Sequence, residues 1–293
     1  MKYRHIRQLA GQHNLSMMCR ALKVTPQGYH QWFQRCPKRD KRRQEEQKLI
    51  GAIEEAYKDS QRTYGRVRVR RELRDQGINV GIKRVGDLMR QEGLRAKAAK
   101  KFRATTNSEH SKPVAENTLN RDFTATAPNQ KWVGDITYIW TMEGWLYLAV
   151  VIDLFSRRVV GWSLSSRMTT ELVCDALKMA VATRGRVADT LCHFDRGSQY
   201  ASDIFQALLK RYGFTCSMSR KGNCWDNAVA ESFFHSLKVE AIYGELFRTR
   251  DEARRTVFSW IECFYNLKRR HSALDYVSPA VFERNTLKLP EAA

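Results

Sequence analysis

The sequence predicts an α/β protein in which a mixed five-stranded sheet with flanking helices follows small, basic helical modules. After residue 130, short segments rich in Val, Ile, Trp and Tyr alternate with segments of helical periodicity. Before residue 96, apolar residues recur mainly at helical spacing. The 293 residues suffice for two or three domains, and the hydrophobic fraction of 43% suits a globular core.

Positive charge is concentrated in the first third of the chain. The 51 Lys and Arg residues outnumber the 31 Asp and Glu residues, which gives a formal charge of +20. Residues 1–103 carry a net charge of +17, whereas the remaining 190 residues carry only +3. A chain this basic usually binds a polyanion, because neutralised phosphates release condensed counterions. The alternative is a merely solvated, charged surface.

Cysteine usage and hydropathy indicate a cytoplasmic protein without a membrane partner. The seven cysteines are irregularly spaced and include no Cys-x-x-Cys pair, which favours reduced thiols over disulfides or structural zinc. The longest apolar run, Trp145 to Ile152, is too short to span a bilayer. The first residues contain no apolar secretory core. For a DNA-binding chain, we expect association with the nucleoid.

Two helical modules are expected before the sheet. In residues 1–44, a helical stripe from Leu15 to Leu22 is followed by Thr25-Pro26, a cap with proline at the first helical position. A helix-turn-helix and a plain helical hairpin explain this segment equally well. Residues 45–96 are predicted as a basic module with helices over about residues 45–58, 66–75 and 82–92.

The second helix of the basic module is rich in arginine. No acid intervenes before Glu72, which favours phosphate contact over a solvated charged face. The arginines predicted to contact DNA are Arg66, Arg68, Arg70 and Arg71. A polar linker is expected over residues 97–127.

Residues 128–245 are predicted to form the catalytic core. Three antiparallel strands are expected over about residues 131–141, 145–153 and 158–165. A helix, a strand, a helix, a strand and a long helix follow, over about residues 169–184, 190–194, 202–212, 215–219 and 226–243. This order is that of a ribonuclease-H-like α/β domain. A further helix over about residues 249–266 opens the C-terminal segment, residues 246–293, which ends in a basic tail.

Three acids stand out by their positions in this core. Asp135 lies among the apolar residues of the first strand, where a charge is costly to bury unless it is paired or binds metal. Asp195 follows the fourth strand, and Glu231 lies on the long helix with 35 residues between them. Phosphodiester transfer develops charge on the attacking and leaving oxygens, and two Mg²⁺ ions about 3.5–4 Å apart stabilise both. Carboxylates are suitable ligands for such ions.

Three segments containing these acids resemble the catalytic blocks of DDE transposases in the retroviral-integrase superfamily. They are WVGDITYI, HFDRGSQY and WDNAVAESFFHSLK, and the 35-residue spacing is similar as well. More narrowly, the chain resembles the second-frame protein (orfB) of the IS-three family of bacterial insertion sequences over nearly its whole length. TYGRVRVRRELR resembles the family's basic helical block and YNLKRRHSALDYVSPAVFE its C-terminal signature. Phe194 and Asp275 depart from the usual Ser and the frequent Gly.

The resemblance implies that Asp135, Asp195 and Glu231 are the catalytic residues and metal ligands. It also implies that Lys238 contacts DNA near the active site. Asn227 and His235 share a helix face with Glu231, so they are interpreted as contacts to phosphate or metal-bound water, or as ordinary polar surface. Arg269 and Arg270 are interpreted as DNA contacts or as a solvated loop.

Other polar residues of the core are expected to have local roles. Asp153 is interpreted as a strand-end residue capping the following turn rather than as a fourth ligand. Asp226 is expected to cap the helix that carries Glu231. His193 is expected to make local hydrogen bonds.

The sequence therefore predicts a transposase that nicks DNA and joins strands with two Mg²⁺ ions, for which Mn²⁺ can substitute, and without a covalent protein–DNA intermediate. Element ends and target DNA are the expected partners. The resemblance implies circular intermediates and an upstream-frame partner (orfA), and bringing two ends together implies a homo-oligomer. The alternatives are a ribonuclease-H-like nuclease that does not join strands and a catalytically inactive DNA-binding regulator.

Overall fold

The computed structural model describes residues 1–97, 113–185, 187 and 189–287. The chain divides into two compact units, Met1–Arg95 and Ala96–Ala293. Within the described ranges, no helix has both the length and the apolar character needed to cross a membrane.

The first unit is helical throughout. Its five helices are α1 (Lys2–Gln8), α2 (Leu15–Ala21), α3 (Pro26–Asp59), α4 (Arg66–Asp75) and α5 (Ile82–Gln91). The Asn14 side chain caps α2, and the Thr25 hydroxyl accepts a hydrogen bond from Gly28 N–H at 3.1 Å at the start of α3. The first two helices and the start of α3 enclose a small core of Ile6, Met18, Cys19 and Tyr29.

Helix α3 differs from the prediction, because it continues through residues 44 and 45, where a new helix was expected. Pro37 lies inside this 34-residue helix without ending it. The segment after Pro37 consists mostly of Lys, Arg, Gln and Glu, which have high helix propensity. The run of charged residues after Pro37 is therefore part of α3 and does not separate two helices. The domain limits at residues 44, 96, 127 and 245 stay predictions.

The second unit is built on a five-stranded mixed sheet. Its strands are β1 (Lys131–Thr141), β2 (Gly144–Asp153), β3 (Val159–Ser165), β4 (Leu191–Phe194) and β5 (Thr215–Met218), in the order β3-β2-β1-β4-β5. β1, β2 and β3 pair antiparallel, whereas β4 pairs parallel with β1 and with β5. This is the predicted ribonuclease-H-like arrangement, and the predicted strands agree with it to within about one residue.

Helices cover the sheet. α6 (Thr170–Arg184) and α7 (Asp203–Tyr212) pack on the main core, which includes Trp132, Leu177 and Phe205. A 3₁₀ turn (Cys224–Asn227), α8 (Ala228–Leu237) and a π-helical turn (Lys238–Ile242) replace the single helix predicted over about residues 226–243. Similarly, α9 (Arg250–Phe258) continues into a π-helical segment (Ser259–Tyr265). A 3₁₀ turn (Ser272–Leu274) and α10 (Pro279–Leu287) were not predicted.

Part of the predicted linker is anchored to the second unit. Residues 98–112 lie outside the described residues, and residues 113–127 contain no helix or strand. Leu119 is nonetheless buried, and its N–H donates to the Ser217 hydroxyl of β5 at 3.1 Å. Composition did not indicate that residues 113–127 contact the sheet, and the extent of the linker stays a prediction.

Candidate active site

The three predicted catalytic acids lie in one cleft of the second unit, with a volume of about 1010 Å³. The parallel pairing of β1 with β4 aligns Val133 with His193, so Asp135 and Asp195 follow two residues further along neighbouring strands. Glu231 lies in the first turn of α8, which packs against β1. The cleft is therefore formed beside a helix, where the parallel pairing of β1 with β4 ends.

Each aspartate is held by a backbone hydrogen bond. Asp135 Oδ1 accepts from the N–H of Ile136 at 2.8 Å, and Asp195 Oδ1 accepts from the N–H of Gly197 at 2.9 Å. A Cβ atom at Gly197 would lie only 2.9 Å from Asp195 Oδ1, so glycine leaves room for the carboxylate in this turn. These contacts help to position the two carboxylates.

Like charges accumulate in the cleft. Burial raises the pKa of Asp135 well above its usual range, and the negative charges of Asp195 and Glu231 raise it further. Lys238 opposes this shift by lowering the pKa of Asp135. Burial also raises the pKa of Glu231. A cluster of carboxylates that repel one another is stabilised when a divalent cation neutralises it.

The donor set suits a cation that prefers oxygen ligands, since all three side chains are carboxylates. Across the described part of the chain, no three His, Cys, Asp or Glu side chains are already gathered as a metal-holding group. Glu231 is exposed at the helix surface, whereas Asp135 and Asp195 are half-buried. Glu231 is thus the most exposed of the three carboxylates that line the cleft.

Two further predicted residues, Lys238 and His235, line the same cleft. Lys238 is mostly buried, and its Nζ lies 5.0 Å from the centre of the Tyr138 ring. Burial lowers the pKa of this amine, and the charge of Asp135 opposes the shift. His235 is exposed on α8. Both are in reach of a strand bound in the cleft, and their contact with phosphate stays a prediction.

Two residues predicted to contact DNA, Asn227 and Arg269, have side chains that the structure places in the interior, as it does that of Lys238. Asn227 is 5% exposed, and its amide donates to the carbonyl oxygen of Gly134 at 3.3 Å, which ties the start of α8 to β1. Arg269 is 4% exposed, and its Nε and Nη2 donate to the Glu240 carboxylate at 2.6–3.0 Å. Both side chains serve packing. Arg270 is only half-buried and donates to the carbonyl oxygen of Tyr276.

Asp226 does not cap α8 as expected. It is fully buried, and its carboxylate accepts hydrogen bonds from Arg220 Nη2 at 2.7 Å and Arg121 Nε at 2.9 Å. These hydrogen bonds, led by that of Arg220, hold the pKa of Asp226 far below its usual range. Arg121 lies 105 residues earlier in the chain, so no local sequence pattern could have indicated this pair.

The expectations for Asp153 and His193 are confirmed. Asp153 Oδ1 accepts from the N–H of Phe155 at 3.0 Å in the turn after β2, and Oδ2 binds Arg184 at 3.2 Å. The ring of His193 hydrogen-bonds to the hydroxyls of Ser217 and Ser219 at 2.9 and 3.1 Å. Burial lowers the pKa of this imidazole to about 4. Asp153 is thus a structural residue, and His193 is neutral near pH 7.

The arginines of α4 were assigned to DNA by composition, and the helix presents some of them at its surface. Val69 and Leu73 form the buried face of α4. Arg66 and Arg70 are exposed, whereas Arg68 and Arg71 are half-buried. Arg68 lies over the Tyr64 ring at 5.4 Å. Arg66 and Arg70, one helical turn apart, are the best placed of the four for phosphate contact.

Sequence reasoning missed Trp225, which lines the cleft with its side chain 69% exposed. Exposed tryptophan is unusual, and this one directly precedes Asp226 in the third catalytic block. Sequence reasoning also left the role of Phe194 open. Phe194 is fully buried, and its ring stacks on the Tyr200 ring at 4.5 Å. The departure from serine at position 194 is thus accommodated by aromatic packing.

Family models match most of the chain. An HTH-like domain matches residues 44–102, and two models of the integrase core domain match residues 125–224 and 212–279. The integrase matches span the strands and helices that carry the three acids.

Two solved structures are similar to parts of this chain. The integrase catalytic core domain of HTLV-2 in complex with magnesium has a TM-score of 0.40 at 17% identity, covering 55% of this chain and 99% of that one. A simian T-cell lymphotropic virus intasome in complex with the PP2A regulatory subunit B56 gamma has a TM-score of 0.48 at 16% identity, covering 78% and 73%.

Curated relatives are similar along the whole chain. The transposase InsF for insertion sequence IS3A of Escherichia coli (strain K12) is 50% identical over 98% of this chain and 100% of the relative. The insertion element IS600 uncharacterized 31 kDa protein of Shigella sonnei is 44% identical over 90% of this chain and 97% of the relative. The chain therefore belongs to the family of insertion-sequence transposases with an integrase core that includes InsF of IS3.

Proposed function

We propose that Asp135, Asp195 and Glu231 are the catalytic residues with which this DDE transposase cuts and joins DNA strands. The observation that carries the proposal is the convergence of the three carboxylates in one cleft, where burial and then the negative charges of Asp195 and Glu231 raise the pKa of Asp135. A divalent cation relieves such repulsion. Mg²⁺ is the ion we propose, with Mn²⁺ as a substitute, and two ions for the pair of reacting oxygens.

The chain's own residues prepare the reaction. When bound, the cations supply stabilisation of the charge that develops on the attacking and leaving oxygens. If they hold the cations, Asp135 and Asp195 would fix the ions relative to the sheet, because both carboxylates accept backbone hydrogen bonds. Lys238 and His235 line the same cleft and are proposed to orient the DNA backbone. In nicking, water attacks the phosphodiester and the 3′-oxygen of the cut strand leaves. In joining, the freed 3′-hydroxyl attacks a phosphodiester of the target, and the 3′-oxygen of the target strand leaves.

DNA is the partner of this transposase, and its HTH-like domain is the predicted binding module. We propose that Arg66 and Arg70 contact phosphates, with Arg68, Arg71 and Arg270 as weaker candidates. The finer partners are proposals as well: element ends and target DNA, an upstream-frame protein that assists end recognition, and a second copy of this chain. A pair of element ends must be held together for joining, which favours an oligomer.

The proposal is tested with labelled element ends and a target plasmid in Mg²⁺ or EDTA. The wild type is compared with Glu231→Gln and with Glu171→Gln, a matched control, because Glu171 is an exposed glutamate in the first turn of α6 outside the cleft. We expect metal-dependent joined products from the wild type and the control and none from Glu231→Gln.

Other outcomes select the alternatives. Nicks without joining, even after the upstream-frame protein is added, would indicate a nuclease. DNA binding without cleavage in any divalent metal would indicate an inactive regulator. Equal activity of Glu231→Gln and the wild type would remove Glu231 from the catalytic set.

A further inference from the structure

The Tyr200 hydroxyl is buried without a hydrogen-bond partner among the described residues. Tyr200 is 2% exposed, and its hydroxyl oxygen is inaccessible. Buried tyrosine hydroxyls normally find a partner, because an unmade hydrogen bond is costly. Elsewhere in the same unit, the hydroxyl of Tyr265 donates to the carbonyl oxygen of Arg157 at 2.9 Å. The burial of the Tyr200 hydroxyl without a partner therefore requires an explanation, whereas the burial of the Tyr265 hydroxyl does not.

Close packing fixes the ring that carries this hydroxyl. The Tyr200 ring stacks on Phe194 at 4.5 Å with an interplanar angle of 16°, and it meets the ring of Phe205 edge-on at 5.3 Å. Phe194 in turn occupies the space beside Gly134, where an added Cβ would lie 2.6 Å from Phe194 Cε1. The ring cannot swing its hydroxyl to another partner without disturbing this stack.

The same stack places Tyr200 beside both catalytic strands. Gly134 directly precedes Asp135 in β1, and Phe194 directly precedes Asp195 after β4. Besides burial, the negative charges of Asp135 and Asp195 raise the pKa of the Tyr200 hydroxyl, so the group stays a protonated donor in their field. An O–H group in this position is a donor for carboxylate oxygens or for a water that they hold.

We propose that Tyr200 is a positioning residue of the Asp135–Asp195 pair. Its hydroxyl donates a hydrogen bond to the pair, directly or through one water, when the pair holds a divalent cation. This inference rests on the proposed function of the pair as metal ligands. Groups that hydrogen-bond to metal ligands orient them, and their removal commonly weakens metal binding by about 10–100-fold.

The substitution Tyr200→Phe removes only the hydroxyl oxygen and keeps the ring stack. Tyr265→Phe is the matched control, since it removes an equally buried hydroxyl that has a partner. We expect the Tm of the metal-free protein to stay equal or rise in Tyr200→Phe and to fall in Tyr265→Phe. We expect Mn²⁺ binding, measured by electron paramagnetic resonance of free Mn²⁺, to weaken about 10-fold in Tyr200→Phe only.

Strand cleavage gives a second readout. For Tyr200→Phe we expect a lower kcat at subsaturating Mn²⁺, recovery at saturating Mn²⁺, and an unchanged KM for DNA. Unchanged Mn²⁺ affinity in Tyr200→Phe overturns the inference, and so does a weakening that is matched by an equal loss of Tm, which indicates a packing role. Failure of the wild type to bind Mn²⁺ defeats the proposed function itself, and this result is visible without any Tyr200 variant.

Discussion

Asp135 is half-buried and Asp226 is fully buried in the same unit, yet their surroundings are opposite. Two arginines and an asparagine donate hydrogen bonds to Asp226, and the two arginines, Arg220 first, lower its pKa. Around Asp135 the nearest charges are mostly negative, and burial and these charges raise its pKa. The fold completes the hydrogen bonding of the Asp226 carboxylate, whereas it gathers like charges around Asp135. This is the difference expected between a structural acid and the acid that we propose to be catalytic.

The largest effect on stability is expected at Asp226, whose carboxylate accepts hydrogen bonds from two arginines. Asp226→Asn leaves Arg220 and Arg121 without their shared negative partner and should lower the free energy of unfolding by about 3 kcal/mol. Urea denaturation at pH 7 measures this change. Asp203→Asn, at an exposed aspartate in the first turn of α7, is the control and should lose less than about 1 kcal/mol. Equal losses in both variants would mean that the ion pairs of Asp226 contribute little.

A pH-dependent loss of stability is expected at His193, whose pKa in the folded protein is about 4. The unfolded chain binds a proton near pH 6.5, whereas the folded chain does not until about pH 4. Stability therefore falls as the pH decreases through this window, by about 1–2 kcal/mol between pH 6.5 and pH 5. Urea denaturation of the wild type and of His193→Gln at both pH values measures the difference. If the free energy of unfolding of His193→Gln changes with pH as much as that of the wild type, His193 does not cause the loss of stability.

The substitution of Asp135 should change stability in the direction opposite to that expected for Asp226→Asn. Asp135→Asn removes a charge that burial and two other acids disfavour, so it should raise the stability of the metal-free protein by about 1 kcal/mol. The pKa of Asp135 is raised by folding, so the gain should be present at pH 7 and should fade as the pH decreases through that raised pKa. Thermal melting in EDTA at pH 7 and pH 5 tests both points. A lower Tm for Asp135→Asn at pH 7 would show that its hydrogen bond to Ile136 outweighs the repulsion.

The smallest effect is expected on DNA affinity, from Arg66 and Arg70, whose side chains are exposed on α4. Arg66→Gln and Arg70→Gln should each reduce the slope of log affinity for DNA against log salt by about 1. Fluorescence anisotropy with duplex DNA at several salt concentrations provides the slopes. Lys178→Gln, at an exposed lysine on α6, is the control and should leave the slope unchanged. If neither Arg66→Gln nor Arg70→Gln changes the slope, DNA binds to another surface.

The sequence predicted the sheet well, because strand patterns are local, and the structure brings the three predicted acids to one cleft. It did not predict that Arg269 pairs with Glu240 in the interior or that Asp226 binds Arg121. In these pairs the partners lie 29 and 105 residues apart, so only the fold reveals which charges are neutralised. The continuity of α3 was missed because a basic run resembles a solvated loop in composition, although its residues favour helix.

Iron-directed cleavage of the backbone tests the central claim most directly. Fe²⁺ bound in place of Mg²⁺ generates hydroxyl radicals with peroxide and ascorbate, and these cut the chain near the ion's ligands; mass spectrometry then locates the cuts. We predict cuts near Asp135, Asp195 and Glu231 that disappear in Asp135→Asn and are suppressed by excess Mg²⁺. Cuts centred on Asp226 or Asp153, with none near Asp135, would contradict the account.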